Sequence, residues 1–107
     1  MRGQRSILKM PCNKTEAKNI AKTLIQEKLI ACANIIDNMT SIYEFKNKFY
    51  EETEVVMIVK TILGHFQRVK ERIIELHSYD IPCIAEINIS NSANEFANWI
   101  SSNVLNN

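Results

Sequence analysis

Two glycines and two prolines are all the punctuation this 107-residue chain carries. Phosphate-cradling loops are built on glycine, and Gly3 and Gly64 alone make neither a P-loop nor a dinucleotide fingerprint. Histidine is equally scarce: His65 and His77 sit in no H-E-x-x-H helix, and no G-x-S-x-G elbow is present. Nothing specifies catalysis, so no enzyme is expected. The three cysteines, Cys12, Cys32 and Cys83, form no CxxC pair. An odd count without a secretory pattern points to reduced thiols and a cytoplasmic protein. The start, Met1 to Arg5, is charged, and Ser6 to Lys9 is too short for a signal-peptide core. No run approaches the roughly 18 to 20 apolar residues that span a bilayer, and no membrane partner is expected. Neither sign of charge dominates. Thirteen basic against 12 acidic side chains give +1, without the surplus a nucleic-acid binder needs to neutralise phosphates. Lys14, Lys18, Lys22 and Lys28 cluster on the polar side of the first helix and read as a solvated face.

What is present is concentrated between Ser41 and Thr61, SIYEFKNKFYEETEVVMIVKT. This pattern predicts an unusually long β-hairpin turning at Lys46-Asn47-Lys48, because Asn tolerates left-handed backbone. The second arm, Phe49 to Lys60, would reach roughly 40 Å, about twice a typical strand. It should overhang its own domain. Val55 to Val59 are apolar at five consecutive positions, which makes both faces of that strand apolar. Either a central strand buried within one chain or a second subunit accounts for that; the overhang favours the subunit. Glu44, Lys46, Glu51, Glu52 and Glu54 mix signs along the hairpin, as guarded strand edges do.

The remaining pattern predicts one domain over residues 1–107. Ser6 to Met10 reads as a strand stopped by Pro11. Asn13-Lys14-Thr15-Glu16 resembles a capping box, followed by Ala17, Ile20, Ala21, Leu24, Ile25 and Leu29 at helical spacing. Ala31 to Ile36 reads as strand two, kinked around Asp37-Asn38. Phe66, Val69, Ile73 and Leu76 supply the stripe of a second helix after Gly64. Cys83, Ala85, Ile87 and Ile89 alternate as a half-buried fourth strand. Ser92-Ala93-Asn94-Glu95 matches a capping box for a last helix, in which Phe96 and Trp99 are most simply core. The order βαββαβ plus a helix is the α+β, ferredoxin-like sandwich, with both main helices on one sheet face.

Few side chains offer chemistry. His65 and His77 lie 12 apart and make no i, i+4 chelating pair. Met10 and Cys12 bring two soft sulfurs to one loop, suited to Cu(I), or are a buried Met and an incidental Cys. Lys60 ends the apolar strand near Tyr79, where the two either hold an anionic ligand or Lys60 simply snorkels from the strand end. RNA recognition on this topology needs aromatics along the central strand, and Val55 to Val59 are aliphatic.

Several segments, in the same order, resemble the CutA divalent-cation tolerance family over about Met10 to Ile100. Lys28 to Ile36 is similar to KLAACVNII, Thr40 to Lys48 to TSIYEWKGK, and Glu54 to Thr61 to EVLMIIKT. His77 to Pro82 resembles HPYEVP, and Phe96 to Ile100 resembles YLxWI. The resemblance implies a ferredoxin-like homotrimer whose hairpins extend sheets across subunit boundaries. It also implies a role in tolerance of copper or other divalent metals, with no obligatory cofactor. It makes His77 a candidate metal ligand; the alternative is a histidine held by the helix macrodipole. In a trimer one ligand per chain becomes three. Phe45 replaces the usual Trp, Asn47 the turn Gly, Ser78 a Pro and Cys83 a Glu, and the first loop carries one extra residue, placed at Cys12. Some members have a Cys where this chain has Leu8, which removes that thiol from any metal site here. A different class of function is a signalling trimer like the similarly folded PII proteins, binding a small anionic metabolite between subunits.

Overall fold

A computed structural model describes residues 4–8, 13–77 and 84–105. The elements are β1 (Gln4–Leu8), α1 (Lys14–Gln26), β2 (Cys32–Phe45), β3 (Lys48–Ile62), α2 (Phe66–Leu76), β4 (Ala85–Ile89) and α3 (Asn94–Ser102). Helix α1 starts where expected. Asn13 is extended, and its Oδ1 accepts the Glu16 N–H at 2.7 Å. It ends in a Schellman motif: Leu29 N–H bonds Leu24 O, Lys28 N–H bonds Ile25 O, and Lys28 takes a left-handed φ of 62° where glycine is usual. Gly64, at φ 92°, makes the tight turn from β3 into α2.

The four strands lie in the order β2-β3-β1-β4, and every neighbouring pair is antiparallel. Strands β2 and β3 form one hairpin with Phe45 opposite Lys48, so the turn is only Lys46-Asn47. Both turn residues have positive φ, 52° and 63°, the geometry whose twist suits a hairpin. β1 pairs with β3 only at Val59 to Ile62. The hairpin therefore projects as a two-stranded ribbon, and the molecule is 46 Å along its longest axis. The kink predicted at Asp37-Asn38 is a β-bulge: Ile36 faces Val56 and Met39 faces Glu54, so two residues oppose Val55. Asn38 is left-handed, and its N–H is held by Asp37 Oδ1 at 2.9 Å.

Strand alternation then divides β3 between two layers. Val55, Met57 and Val59 point to α1 and α2, where they pack with Ile20, Leu24 and Ile73. On the opposite face, α3 and the residue Val104 beyond it pack at one end with Ile62, and further along β3 Val56 and Glu54 are also buried. Three expectations change here. β1 starts at Gln4, two residues before the predicted Ser6, and the predicted end at Met10 lies outside the described residues. Helix α3 begins at Asn94 behind Ala93, with no side-chain cap from a box at Ser92. Trp99 and Phe96 are not core: the buried stripe is Ala97, Ile100 and Val104, and the small Ala97 sets the helix down on that side. Trp99, stacked on Phe96, stays 48% exposed. Ile87 and Ala85 of β4 likewise stand exposed on the open side.

Candidate functional site

The even-numbered side chains of β3 and their partners on β2 build the open face from the turn inward. At the ribbon, Tyr43 and Tyr50 are directly opposite and stack with centroids 5.3 Å apart. Tyr43 Oη donates to Glu52 Oε1 at 2.7 Å, and that bond, with Glu52's charge, raises the phenol above its ordinary value. Around the turn Phe45 and Phe49 project into solvent, Phe49 being 73% exposed, and Ile42 of β2 is 67% exposed. Lys46 lies over the Phe45 ring and Lys48 over Tyr50. Large apolar side chains thus stand in solvent on a two-stranded ribbon.

Further along the same face comes Lys60. It is half-buried, directly opposite Cys32, and its Nζ donates to Asn34 Oδ1. Cys32 Sγ approaches the same oxygen at 3.9 Å. Ile36, Ile58 and, beyond β1, Ile87 surround this polar group on the open face. Lys60 is the expected ligand candidate or snorkelling lysine, and the neighbours it finds here, Asn34 and Cys32, are not among the residues the sequence singled out for it. Cys32, Asn34 and Ile36 alternate at strand spacing, which sets them on one face of β2 but does not by itself set them beside Lys60.

His77 stands apart from that group, at the C-cap of α2. Its N–H donates to Ile73 O at 2.8 Å, and only 8% of the residue is exposed. Cys12 and Tyr79 lie outside the described residues. Among the described residues, no three His, Cys, Asp or Glu side chains gather as a metal cage. A groove of about 360 Å³ runs between the start of α1 and Leu76, lined by Asn13, Glu16, Asn19 and Thr23 among others. Neither Lys60 nor His77 lines it.

A family model described as CutA1 divalent ion tolerance protein matches residues 7–103. The chain belongs to the CutA1 family. The divalent-cation tolerance protein CutA of Thermus thermophilus is 38% identical over 87 residues, covering 81% of this chain and 84% of that protein. Its structure superposes with a TM-score of 0.85 at 34% identity, over 94% of this chain and 98% of the other. The structure of the periplasmic divalent cation tolerance protein CutA from Archaeoglobus fulgidus gives a TM-score of 0.79 at 38% identity, over 94% and 95% of the two chains. The likeness to CutA1 structures covers hairpin, helices and sheet together.

Proposed function

We propose that this CutA1 member is a ferredoxin-like homotrimer that acts in divalent-cation tolerance, copper first, by binding the metal or responding to it. The observation that carries the assembly is the projecting hairpin, with Ile42, Phe45 and Phe49 in solvent, together with Ile36 and Ile87 exposed on the sheet face away from α1 and α2. A second and third copy would bury both surfaces, at roughly 800 Å² or more per partner. Light scattering at micromolar concentration is expected to give the trimer mass, and a monomer would reject the assembly. Tolerance is named by the relatives; copper is our assignment of the metal.

The described residues of one chain gather no metal cage, and the metal reading takes ligands from several chains. His77 and Cys12, one of each per subunit, are the candidates, imidazole suiting Cu(II) and thiolate Cu(I). Binding through His77 should weaken on acidification, because the ligand is the neutral ring. Calorimetric titration of His77→Ala and Cys12→Ser with copper tests this, and parent-like binding by both variants would remove both residues. No catalytic step, nucleic acid or membrane enters this reading, and no helix of the described residues is long and apolar enough to cross a bilayer. We place the protein in the cytoplasm with reduced thiols. Fractionation that recovers it outside the cytoplasm, where the A. fulgidus protein is described, would reject that. The second reading, a trimer that binds a small anionic metabolite, is favoured by one observation, the Lys60–Asn34 pair on the open face. Tyr79 would complete that site.

A further inference from the structure

We propose that Lys60, Asn34 and Cys32 form a capture site for a small oxyanion, which is enclosed when a second copy covers the open sheet face. The inference rests on the assembly reading above and concerns what that interface must contain. Lys60 is the ammonium at the inner end of this face, Lys48 lying out by the turn over Tyr50, and among the described residues it is set near Ile36, Ile58 and Ile87. Covering the face would take the charge out of water, and a buried charge is tolerated only when it is paired and hydrogen-bonded. Among the described residues its side-chain partner is the neutral Asn34 Oδ1, which compensates no charge.

The group around Lys60 offers donors. An ammonium has three N–H groups, and one goes to Asn34. Asn34 Oδ1 is taken by Lys60 and approached by Cys32, and the Asn34 side chain still carries its amide N–H groups as further donors. A set of donors with its one acceptor already used fits an anion with several oxygens, a carboxylate or a phosphate.

The anion could come from solution or from a neighbouring copy's side chain. The described residues favour solution. Glu52 and Glu54 are the carboxylates on the open face of β3, and Glu52 already accepts from Tyr43 while Glu54 is buried in its own chain. Glu44 and Glu51 lie on the opposite face of the ribbon.

The test is thermal unfolding of the assembled protein in inorganic phosphate, and separately in succinate, each against chloride at equal ionic strength. The parent's midpoint should rise saturably by a few degrees in one of the two, and which one identifies the ligand class. Lys60→Met should lose the response and remain assembled in chloride, whereas Lys60→Arg should keep it. Light scattering on the same samples separates the two layers of the idea. A monomeric parent overturns the assembly and the enclosure with it. An assembled parent that responds to neither anion beyond chloride overturns the site alone. So does Lys60→Met that comes apart in chloride, since the ammonium would then be pairing with the neighbour's carboxylate.

Discussion

At the scale of single residues, Thr61 ties the sheet to the end of α1. Its side chain is fully buried, and its Oγ1 donates to Leu29 O at 2.8 Å. Thr61→Val keeps the shape and leaves that carbonyl without its donor, which should cost about 1 to 2 kcal/mol. A shift in the urea midpoint at constant slope would measure it. Glu27 and Arg72 link α1 to α2 at the surface, with Arg72 Nε and an Nη bonding the two carboxylate oxygens at 2.8 and 2.7 Å. That hydrogen bonding, with the guanidinium's charge, lowers the Glu27 carboxyl below its ordinary value. A depressed carboxyl contributes stability that is present above the ordinary value and lost as pH falls through the folded one. Glu27→Gln should therefore flatten the acid limb of the stability profile while changing little at neutral pH, as exposed ion pairs do. An acid limb identical to the parent's would show the bridge to be inert.

At the scale of elements, the phase of α2 can be checked by two adjacent positions. Ile73 is 1% exposed against the sheet, and Ile74 stands in solvent. Ile73→Ala should cost about 2 to 5 kcal/mol by leaving a cavity, and Ile74→Ala should stay within about 0.5 kcal/mol. Equal losses would mean that the helix is rotated. The hairpin turn is the weakest local match to its backbone. Two residues at positive φ favour Asn-Gly, and this chain has Lys46-Asn47. Lys46→Asn with Asn47→Gly should stabilise the fold by about 1 kcal/mol in denaturant titration. Element type was legible wherever a period was long: α1 by its apolar spacing and cap, and the hairpin by its length. Boundaries drifted where two signals competed. Ser92 offered a capping box one residue too early, and the helix opens at Asn94 behind Ala93. Trp99 looked like core because size suggests burial, yet Ala97 and Ile100 decide which side of α3 packs.

At the scale of the molecule, the two-sided character of β3 was the most useful thing the amino acids revealed. It marked β3 as a strand that needs cover on both sides, and Val55, Val56, Met57 and Val59 are buried within the chain. The polar group on the open face was less legible. Asn34 and Cys32 meet Lys60 only through β2–β3 register, and register across a hairpin with a bulge cannot be counted from the turn alone. If the subunits associate as proposed, unfolding must also separate them. The melting temperature should then rise with protein concentration, and a melt unchanged over a hundredfold dilution would contradict obligate assembly.

The bulge also gives the hairpin slack in its length. β2 spends one more residue than β3 between Ile36 and Met39, so the longer arm can lose one residue and still match its partner. Removing Asn38 leaves every pair from Met39 to Phe45 where it is. Removing Ser41 instead lets the surplus residue slide outward until it fills the gap. The two arms then become equal, with Tyr43 still opposite Tyr50. A one-residue deletion in β3 would have no such reserve: it would double the surplus on β2 and turn part of the ribbon over. Deletions along this ribbon should thus be tolerated on one arm and disruptive on the other, a difference that chain length alone would never suggest.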